Sequence, residues 1–209
     1  MFLTTNFDKL LIACAVITIS FMSFSTEAIS ETLTFKNLWK KHPLNNSESA
    51  PAKMLKDIEF GGKLVRKGAP SFANQCAIRM GVALREAGVT LSQIGNPRVS
   101  WFHKKDDMFV LVAQDLALGL KASKIEGLGQ LEKVKDPKNF HNELYGRKGI
   151  IFFKDYWRRK GETTNPTGDH IDVWNGYRTT SKWLMEWFSW LGYNENYGKS
   201  KEIWFWEVK

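Results

Sequence analysis

Apolar positions recur at three- and four-residue spacing over residues 72–88, and this spacing predicts the clearest helix of the chain. Its apolar face contains Ala77, Met80, Ala83, Leu84 and Ala87. Asn74 is the expected N-cap, and Gly88 stands where the helix should end. Similar patterns predict helices that start after a Thr34 cap and that span residues 108–122 and 181–191.

A different pattern dominates the last third of the chain, where short apolar or alternating runs predict β-strands. These runs are residues 149–153, 170–174 and 202–208. Asn175-Gly176, directly after the second run, is a strong turn signal, whereas residues 123–148 predict charged loops. Helices first and strands later indicate an α+β fold, in which N-terminal helices pack on an antiparallel sheet.

The first 28 residues differ from the rest and resemble a secretory signal. An uncharged apolar run from Leu10 to Phe24 follows Lys9, and cleavage is expected after Ala28. The run is shorter than the roughly 20 residues that a spanning helix needs. We therefore predict a signal at residues 1–28 and one domain at residues 29–209, with no stable membrane insertion once the signal is removed. An uncleaved anchor and a buried core helix are the alternatives.

Composition adds a globular character and a basic charge. The chain has 43% hydrophobic and 25% charged residues, which is typical of a globular protein rather than a disordered one. Its formal net charge of +8 favours anionic partners such as nucleic acid, anionic lipid or cell-wall polymer, unless it serves only solubility. The nine tryptophans are either core residues or flat faces for carbohydrate.

Cys76 is the first candidate for chemistry. It is predicted in the first turn of the helix, where unpaired N–H groups and the helix dipole stabilise a thiolate, the reactive form of cysteine. Once residues 1–28 are removed, Cys76 is the single cysteine left. It is therefore a reactive group, an inert buried thiol or the partner of a cysteine in another molecule.

His170 is the candidate base, because a histidine at the start of a strand is held firmly while its ring stays accessible. The weaker histidine candidates are His42, His103 and His141. An early cysteine followed by a late histidine is the chain order of papain-like hydrolases. The sequence contains no cysteine pair and no two-histidine spacing typical of a metal site, so neither a metal nor another cofactor is expected.

Three segments, in order, carry a resemblance to a known family. They read FANQCAIRMGVAL, GRKGIIFFKDYW and GDHIDVWNG, and they resemble the fourth family of type VI secretion amidase effectors. Those effectors are similar to the NlpC-type branch of papain-like cysteine peptidases. The resemblance runs from about Phe35 to the C-terminal WFWEVK. It implies a papain-like fold and hydrolysis of the amide between the γ-carboxyl of D-glutamate and meso-diaminopimelate in peptidoglycan stems.

The resemblance also implies roles and partners. Cys76 matches the nucleophile of the family and His170 matches its base. Such effectors act in the periplasm or cell wall of competing bacteria and are blocked by a cognate immunity protein, so peptide stems rather than nucleic acid are the expected partner. Because the stems carry carboxylates, a nearby cation is expected, with Arg79 and Lys148 as candidates.

The chain departs from the family at two points. The family has an acidic residue about ten positions past the histidine, whereas residues 177–183 contain no Asp or Glu. Asp172 is the preferred substitute, because residues two apart on a strand face the same side. Asn175 and Ser181 are alternatives, and Asp172 could instead be a solvent-facing strand residue. The signal-like segment is the second departure, since an injected effector needs no such signal.

Two other classes of function compete with the amidase. A non-catalytic peptidoglycan- or glycan-binding protein would use exposed tryptophans and no reaction. A cysteine acyltransferase would use the same thiol chemistry but pass the acyl group to an amine instead of water.

Overall fold

The computed structural model of the protein describes residues 32–46, 75–100, 105–159, 161–180 and 197–209. The helices in these ranges are α1 (Phe35–Lys41), α2 (Cys76–Glu86), α3 (Ala113–Ala122) and α4 (Phe140–Glu143). The strands are β1 (Leu128–Lys133), β2 (Gly149–Trp157), β3 (Gly168–Trp174) and β4 (Glu202–Val208). None of the described helices combines the length and the apolar character that a membrane-spanning segment requires. The signal predicted at residues 1–28 and the helix predicted at residues 181–191 lie outside the described residues.

The four strands form one antiparallel sheet in the order β1-β4-β2-β3. β2 lies between β3 and β4, with Gly149 opposite Trp174 and Glu207, and Phe153 opposite His170 and Ile203. The pairing with β3 resumes at Trp157, opposite Gly168, after a shift in register. Three of these strands were predicted from their apolar or alternating patterns. The mixed helix-and-sheet architecture with an antiparallel sheet is thereby confirmed.

The centre of the sheet is buried on both faces. On one face, Ile150, Phe152, Ile171, Val173, Trp204 and Trp206 join a core with residues of α1, α2 and α3. On the other face, Ile151, Phe153, Trp174, Ile203 and Phe205 join a second core with Phe140, Leu144 and Tyr197. A strand that is buried on both faces has apolar residues at every position, which explains the unbroken GIIFF run of β2.

The helix predicted over residues 108–122 is wrong in its first five residues. Helix α3 begins at Ala113, whereas Met108 has a φ of +50° and Val110 forms an antiparallel bridge with Val99. Gly81 of α2 permits this arrangement, because a Cβ there would meet the Met108 carbonyl oxygen at 2.3 Å. The close approach holds the extended segment against α2, and this segment leads into the residues that lie beside Cys76.

Two smaller expectations also differ from the structure. The loop region predicted at residues 123–148 contains the edge strand β1, most of whose residues are exposed. The helix that carries the cysteine has Gln75 as its N-cap, without a side-chain hydrogen bond, rather than Asn74. The Thr34 cap of α1 is confirmed, because its side chain accepts the N–H of Asn37.

Candidate active site

Cys76 is the first residue of α2 and therefore lies at the helix N-terminus, as the sequence predicted. Its side chain is partly buried and hydrogen-bonds the side chain of His170. Burial raises the pKa of the thiol, but His170 and the backbone groups of Ile171 and Ala77 outweigh that effect, so the pKa of Cys76 is lowered. A lowered pKa raises the fraction of the nucleophilic thiolate.

His170 lies in β3, directly opposite Phe153 of β2. Its ring stacks on Tyr197 with centroids 5.5 Å apart and on Phe153 with centroids 6.1 Å apart. Burial lowers the pKa of His170, but Tyr197, Asp172 and Cys76 together raise it well above 6.5. The aromatic neighbours restrain the ring, and the charged form is favoured beside the thiol.

Asp172 lies two residues further along β3 and meets His170, as the two-residue period of a strand predicts. Asp172 Oδ2 is 3.3 Å from His170 Nε2. The other carboxylate oxygen accepts the backbone N–H of Val173 at 2.7 Å and the hydroxyl of Thr180. Asp172 is only 2% exposed, so the alternative of a solvent-facing strand residue is wrong.

The turn after β3 brings Thr180 back beside the strand, where its backbone N–H bonds to a β3 carbonyl at 3.2 Å. Within the turn, Asn175 Oδ1 accepts the N–H groups of Tyr177 and Arg178 at 3.0 and 2.9 Å. The predicted turn is confirmed, and these bonds occupy the Asn175 oxygen that could otherwise face the histidine. Ser181, the other alternative partner of the histidine, lies outside the described residues.

His42 belongs to the same cluster, although the sequence ranks it among the weaker candidates. It is the C-cap of α1 and is 2% exposed. His42 Nε2 lies 3.4 Å from Thr180 Oγ1 and 3.8 Å from Asp172 Oδ1, and Nδ1 accepts the Leu44 N–H at 3.3 Å. Burial lowers the pKa of His42 to about 4, against the raising effect of Asp172. Because 138 positions separate His42 from Thr180, no local pattern marks this contact.

A cleft of about 520 Å³ lies beside Cys76. Its lining consists of Cys76, Ala77, Leu111, Val112, Ala113, Trp157, Arg159 and Asp169. One wall depends on Gly168, because a Cβ there would meet the Trp157 ring at 2.3 Å. Trp157 Nε1 also donates to the Asp169 carbonyl at 3.4 Å. The cleft has the size of a small-ligand site and is mostly apolar, with a few polar groups at its wall.

Arg159 supplies the positive charge in this lining, and it is not one of the two cations suggested by the sequence. Lys148 instead places Nζ 5.5 Å from the ring centroid of Phe35, away from the cleft lining. Arg79 acts on His42, whose pKa its charge helps to lower. The signal that could have found Arg159 is its position two residues after Trp157, where both β2 and the second family-like segment end.

His141 takes no part in this cluster. His141 is exposed, and its ring lies tilted against those of Phe140 and Trp174, with centroids 4.0 and 5.3 Å away. His103 lies outside the described residues. Across the part of the chain that the structure describes, no group of three or more His, Cys, Asp or Glu side chains could hold a metal ion.

The fold and the cleft define a mixed helix-and-sheet protein in which a cysteine, a histidine and a carboxylate meet beside a largely apolar cavity. A comparison with protein families matches residues 72–206 to the type VI secretion system (T6SS) amidase effector protein 4, Tae4. The chain therefore belongs to the Tae4 family. Membership implies an antibacterial amidase that acts on peptidoglycan. A comparison with curated proteins found no match.

The similar solved structures include two that cover most of this chain. The Tae4/Tai4 effector–immunity system from Salmonella typhimurium is 19% identical, covers 84% of this chain and 98% of that chain, and has a TM-score of 0.50. The type VI effector Tae4 from Enterobacter cloacae is 18% identical, covers 84% of this chain and 96% of that chain, and has a TM-score of 0.49. At this identity, the likeness to the Salmonella protein shows the fold alone.

Proposed function

We propose that the protein is a cysteine amidase that hydrolyses the γ-D-glutamyl–meso-diaminopimelate bond of peptidoglycan stems. The observation that carries this proposal is the hydrogen-bonded pair of Cys76 and His170 beside the cleft. The pKa of the thiol is lowered and the pKa of the imidazole is raised, which favours a thiolate–imidazolium pair. Such a pair is the reactive state of a cysteine hydrolase.

The same pair supports membership of the NlpC-type branch of papain-like peptidases. In this chain, a cysteine at a helix N-terminus is hydrogen-bonded to a histidine on a strand of an antiparallel sheet. The early cysteine and the late histidine follow the order that the sequence resemblance implies. We therefore extend the family's roles to this chain, with Cys76 as nucleophile and His170 as base.

The proposed reaction passes through an acyl-enzyme. The Cys76 thiolate attacks the γ-glutamyl carbonyl carbon, and the developing oxyanion accepts N–H groups at the N-terminus of α2. Protonated His170 donates its proton to the diaminopimelate nitrogen as the carbon–nitrogen bond breaks, which leaves a thioester. His170 then takes a proton from water, and the resulting hydroxide attacks the thioester carbon. The carbon–sulfur bond breaks, the γ-glutamyl acid leaves, and the Cys76 thiolate remains beside protonated His170, which restores the starting pair.

Asp172 is the proposed orienting group for His170. Its Oδ2 faces His170 Nε2 at 3.3 Å, which leaves the other ring nitrogen for proton exchange with the thiol. A buried carboxylate in this position fixes the tautomer of the imidazole and stabilises its charged form. Thr180 lies in the stretch about ten positions after the histidine in which the family has an acidic residue, and its hydroxyl donates to Asp172. In this chain, the carboxylate of Asp172 and the hydroxyl of Thr180 thus together take the orienting role that a single acidic residue has in the family.

The cleft provides the proposed binding surface for the stem. Peptide stems carry free carboxylates close to the scissile amide, and Arg159 gives the cleft a cation that can pair with one of them. Trp157 gives it a flat apolar wall. The net charge of +8 favours association with an acidic polymer over longer distances.

The proposed location and partner follow from the substrate. Intact peptidoglycan lies in the periplasm or cell wall of target bacteria, so the protein must be secreted to reach it. The signal at residues 1–28 remains a prediction for how it is exported. The Salmonella relative was solved as an effector–immunity system, and we propose that a cognate immunity protein likewise restrains this chain.

The decisive experiment is digestion of sacculi that contain meso-diaminopimelate, with products read by mass spectrometry. The full chain should release fragments cut between D-glutamate and diaminopimelate, whereas the chains carrying Cys76→Ala and Cys76→Ser should release none. Cys76→Ser is the matched control, because it keeps the size of the side chain and removes the thiolate.

Other outcomes would favour the competing functions. Intact muropeptides from a well-folded wild-type protein that still sediments with sacculi would indicate a binding protein. Products in which an added amine replaces diaminopimelate would indicate an acyltransferase. Cleavage that survives Cys76→Ala would overturn the cysteine mechanism.

A further inference from the structure

We propose that His42 is a positioning residue of the active site, whose ring donates through Nε2 to Thr180 and thereby fixes the carboxylate of Asp172 that orients His170. This inference rests on the proposed function, since it assigns a role within the same site. The sequence resemblance concerns the cysteine, the histidine and one acidic residue, and it assigns nothing to His42.

The position of His42 gives it access to the buried side of Asp172. The residue ends α1, and its backbone N–H closes that helix on the Leu38 carbonyl at 3.1 Å. His42, Asp172 and Thr180 are 2%, 2% and 3% exposed, so bulk water does not separate these three side chains. Buried polar side chains in proteins usually have a hydrogen-bond partner.

The hydrogen bonds of His42 assign its tautomer. Nδ1 accepts the backbone N–H of Leu44 at 3.3 Å, so in the neutral ring the hydrogen is on Nε2. Pro43 has no N–H of its own, so the N–H of Leu44 is the first backbone donor after His42. Nε2–H is thereby directed at Thr180 Oγ1 at 3.4 Å and towards Asp172 Oδ1 at 3.8 Å.

The direction of each remaining hydrogen bond follows from this tautomer. Thr180 has one hydroxyl hydrogen and gives it to Asp172 Oδ1, so its oxygen is left to accept from His42. Asp172 Oδ1 also accepts the Val173 N–H at 2.7 Å. With Oδ1 held by these donors, Oδ2 is aimed at His170 Nε2, 3.3 Å away. A positioned acceptor of this kind sets the orientation of a catalytic imidazole.

The charge state of His42 is compatible with this role. The titratable and charged groups that act on it are Asp172 and His170 of β3 and Arg79 of α2. Burial, Arg79 and His170 lower the pKa of His42, Asp172 raises it, and the result is about 4. The ring is therefore neutral at neutral pH, and it supplies a hydrogen-bond donor without placing a second positive charge next to His170.

The test compares His42→Phe, His42→Gln and Thr180→Val in the full chain, with His141→Phe as a matched histidine control from an exposed position. We expect His42→Phe and Thr180→Val to lower kcat roughly 10- to 100-fold with little change in KM, because a misplaced catalytic group costs rate rather than binding. His42→Gln keeps an N–H donor and should recover most of the loss. His141→Phe should match the wild type.

A second readout separates this inference from the proposed function. The rate of Cys76 alkylation by iodoacetamide is followed against pH by peptide mass spectrometry, which distinguishes Cys76 from Cys14 and needs no substrate. Poor orientation of His170 weakens its support of the thiolate, so His42→Phe and Thr180→Val should shift the Cys76 profile to higher pH. His42→Gln should shift it less.

The two readouts assign each failure to one proposal. If the wild type does not cleave sacculi but the alkylation profile shifts in both variants, the amidase assignment is overturned and the role of His42 stands. If the wild type cleaves and both variants keep the wild-type kcat and alkylation profile, the role of His42 is overturned and the amidase stands. Near-ultraviolet circular dichroism identifies a variant that has lost its fold. If His42→Phe or Thr180→Val is lost in this way, the kcat and the Cys76 alkylation profile of the other variant decide the role of His42.

Discussion

The two sides of Cys76 are built in opposite ways. On one side, His170, Asp172, Thr180 and His42 are largely buried and joined by hydrogen bonds. On the other side, the cleft of about 520 Å³ has a largely apolar wall and one exposed arginine. In the proposed function, the buried side controls the protonation of Cys76 and His170, and the open side binds the substrate. Changes on the first should therefore alter kcat and pH dependence, and changes on the second should alter KM.

The largest effect is expected for His170→Ala. In the proposed mechanism, His170 is both the base for the thiol and the acid for the leaving amine, so its loss should lower the rate of cleavage by roughly 10,000-fold or more. Muropeptide release measured by mass spectrometry would test this. The control is His141→Ala, which removes an exposed histidine and should leave the rate unchanged. A fall of less than about tenfold for His170→Ala would mean that His170 is not the catalytic base.

Asp172→Asn should have the next largest effect. The amide keeps the size of the side chain and can still accept the Val173 N–H. It removes the charge that favours protonated His170, so we expect kcat to fall roughly 100- to 10,000-fold with KM little changed. Initial rates over a range of muropeptide concentrations measure both constants. Asp136→Asn, at an exposed position, is the control, and equal effects of the two changes would rule out an orienting role for Asp172.

Much of this buried side could be predicted from sequence, because its members follow local patterns. Cys76 was expected in the first helical turn, and the period of a strand put Asp172 on the same side as His170. β4 was expected at residues 202–208, where the structure has it. Each of these inferences needs only residues that are neighbours along the chain.

The parts that could not be predicted depend on distant contacts. β1 is an edge strand whose residues are mostly exposed, so its sequence has no apolar pattern that predicts a strand. It is extended because it pairs with β4, which is far away in sequence. Residues 108–112 are apolar enough for a helix, and periodicity alone does not separate a short buried strand from a helix. His42 joins the site from α1, and only the folded chain brings it to Asp172 and Thr180.

Acid should weaken the buried side through His42, with a smaller effect than the catalytic substitutions. The pKa of His42 is lowered from 6.5 to about 4. Between these two pH values, His42 is protonated in the unfolded chain and neutral in the folded chain. Protonation of His42 in the unfolded chain therefore lowers the free energy of unfolding as the pH falls from 6.5 towards 4, by about 3 kcal/mol at most. The raised pKa of His170 has the opposite effect on the pH dependence of stability. Its contribution is complete below pH 6.5 and is lost only as the pH rises through the folded pKa.

Urea unfolding at pH 7, 5.5 and 4.5 measures this dependence. Because other acidic groups titrate in the same range, the informative quantity is the difference between the wild type and His42→Phe. The free energy of unfolding should fall more steeply with acid in the wild type than in the variant. Parallel curves would mean that His42 is protonated as easily in the folded chain as in the unfolded chain.

The smallest effect is expected on the open side, for Arg159→Gln. Arg159 is exposed and lines the cleft, so its pairing with a stem carboxylate is screened by water. We expect KM to rise about threefold to tenfold while kcat stays within about twofold. The neighbouring Arg158→Gln is the matched control, since it removes an exposed charge of the same kind that does not line the cleft. If Arg159→Gln lowered kcat instead, the open side would also contribute to the chemical step, and the division between the two sides of Cys76 would fail.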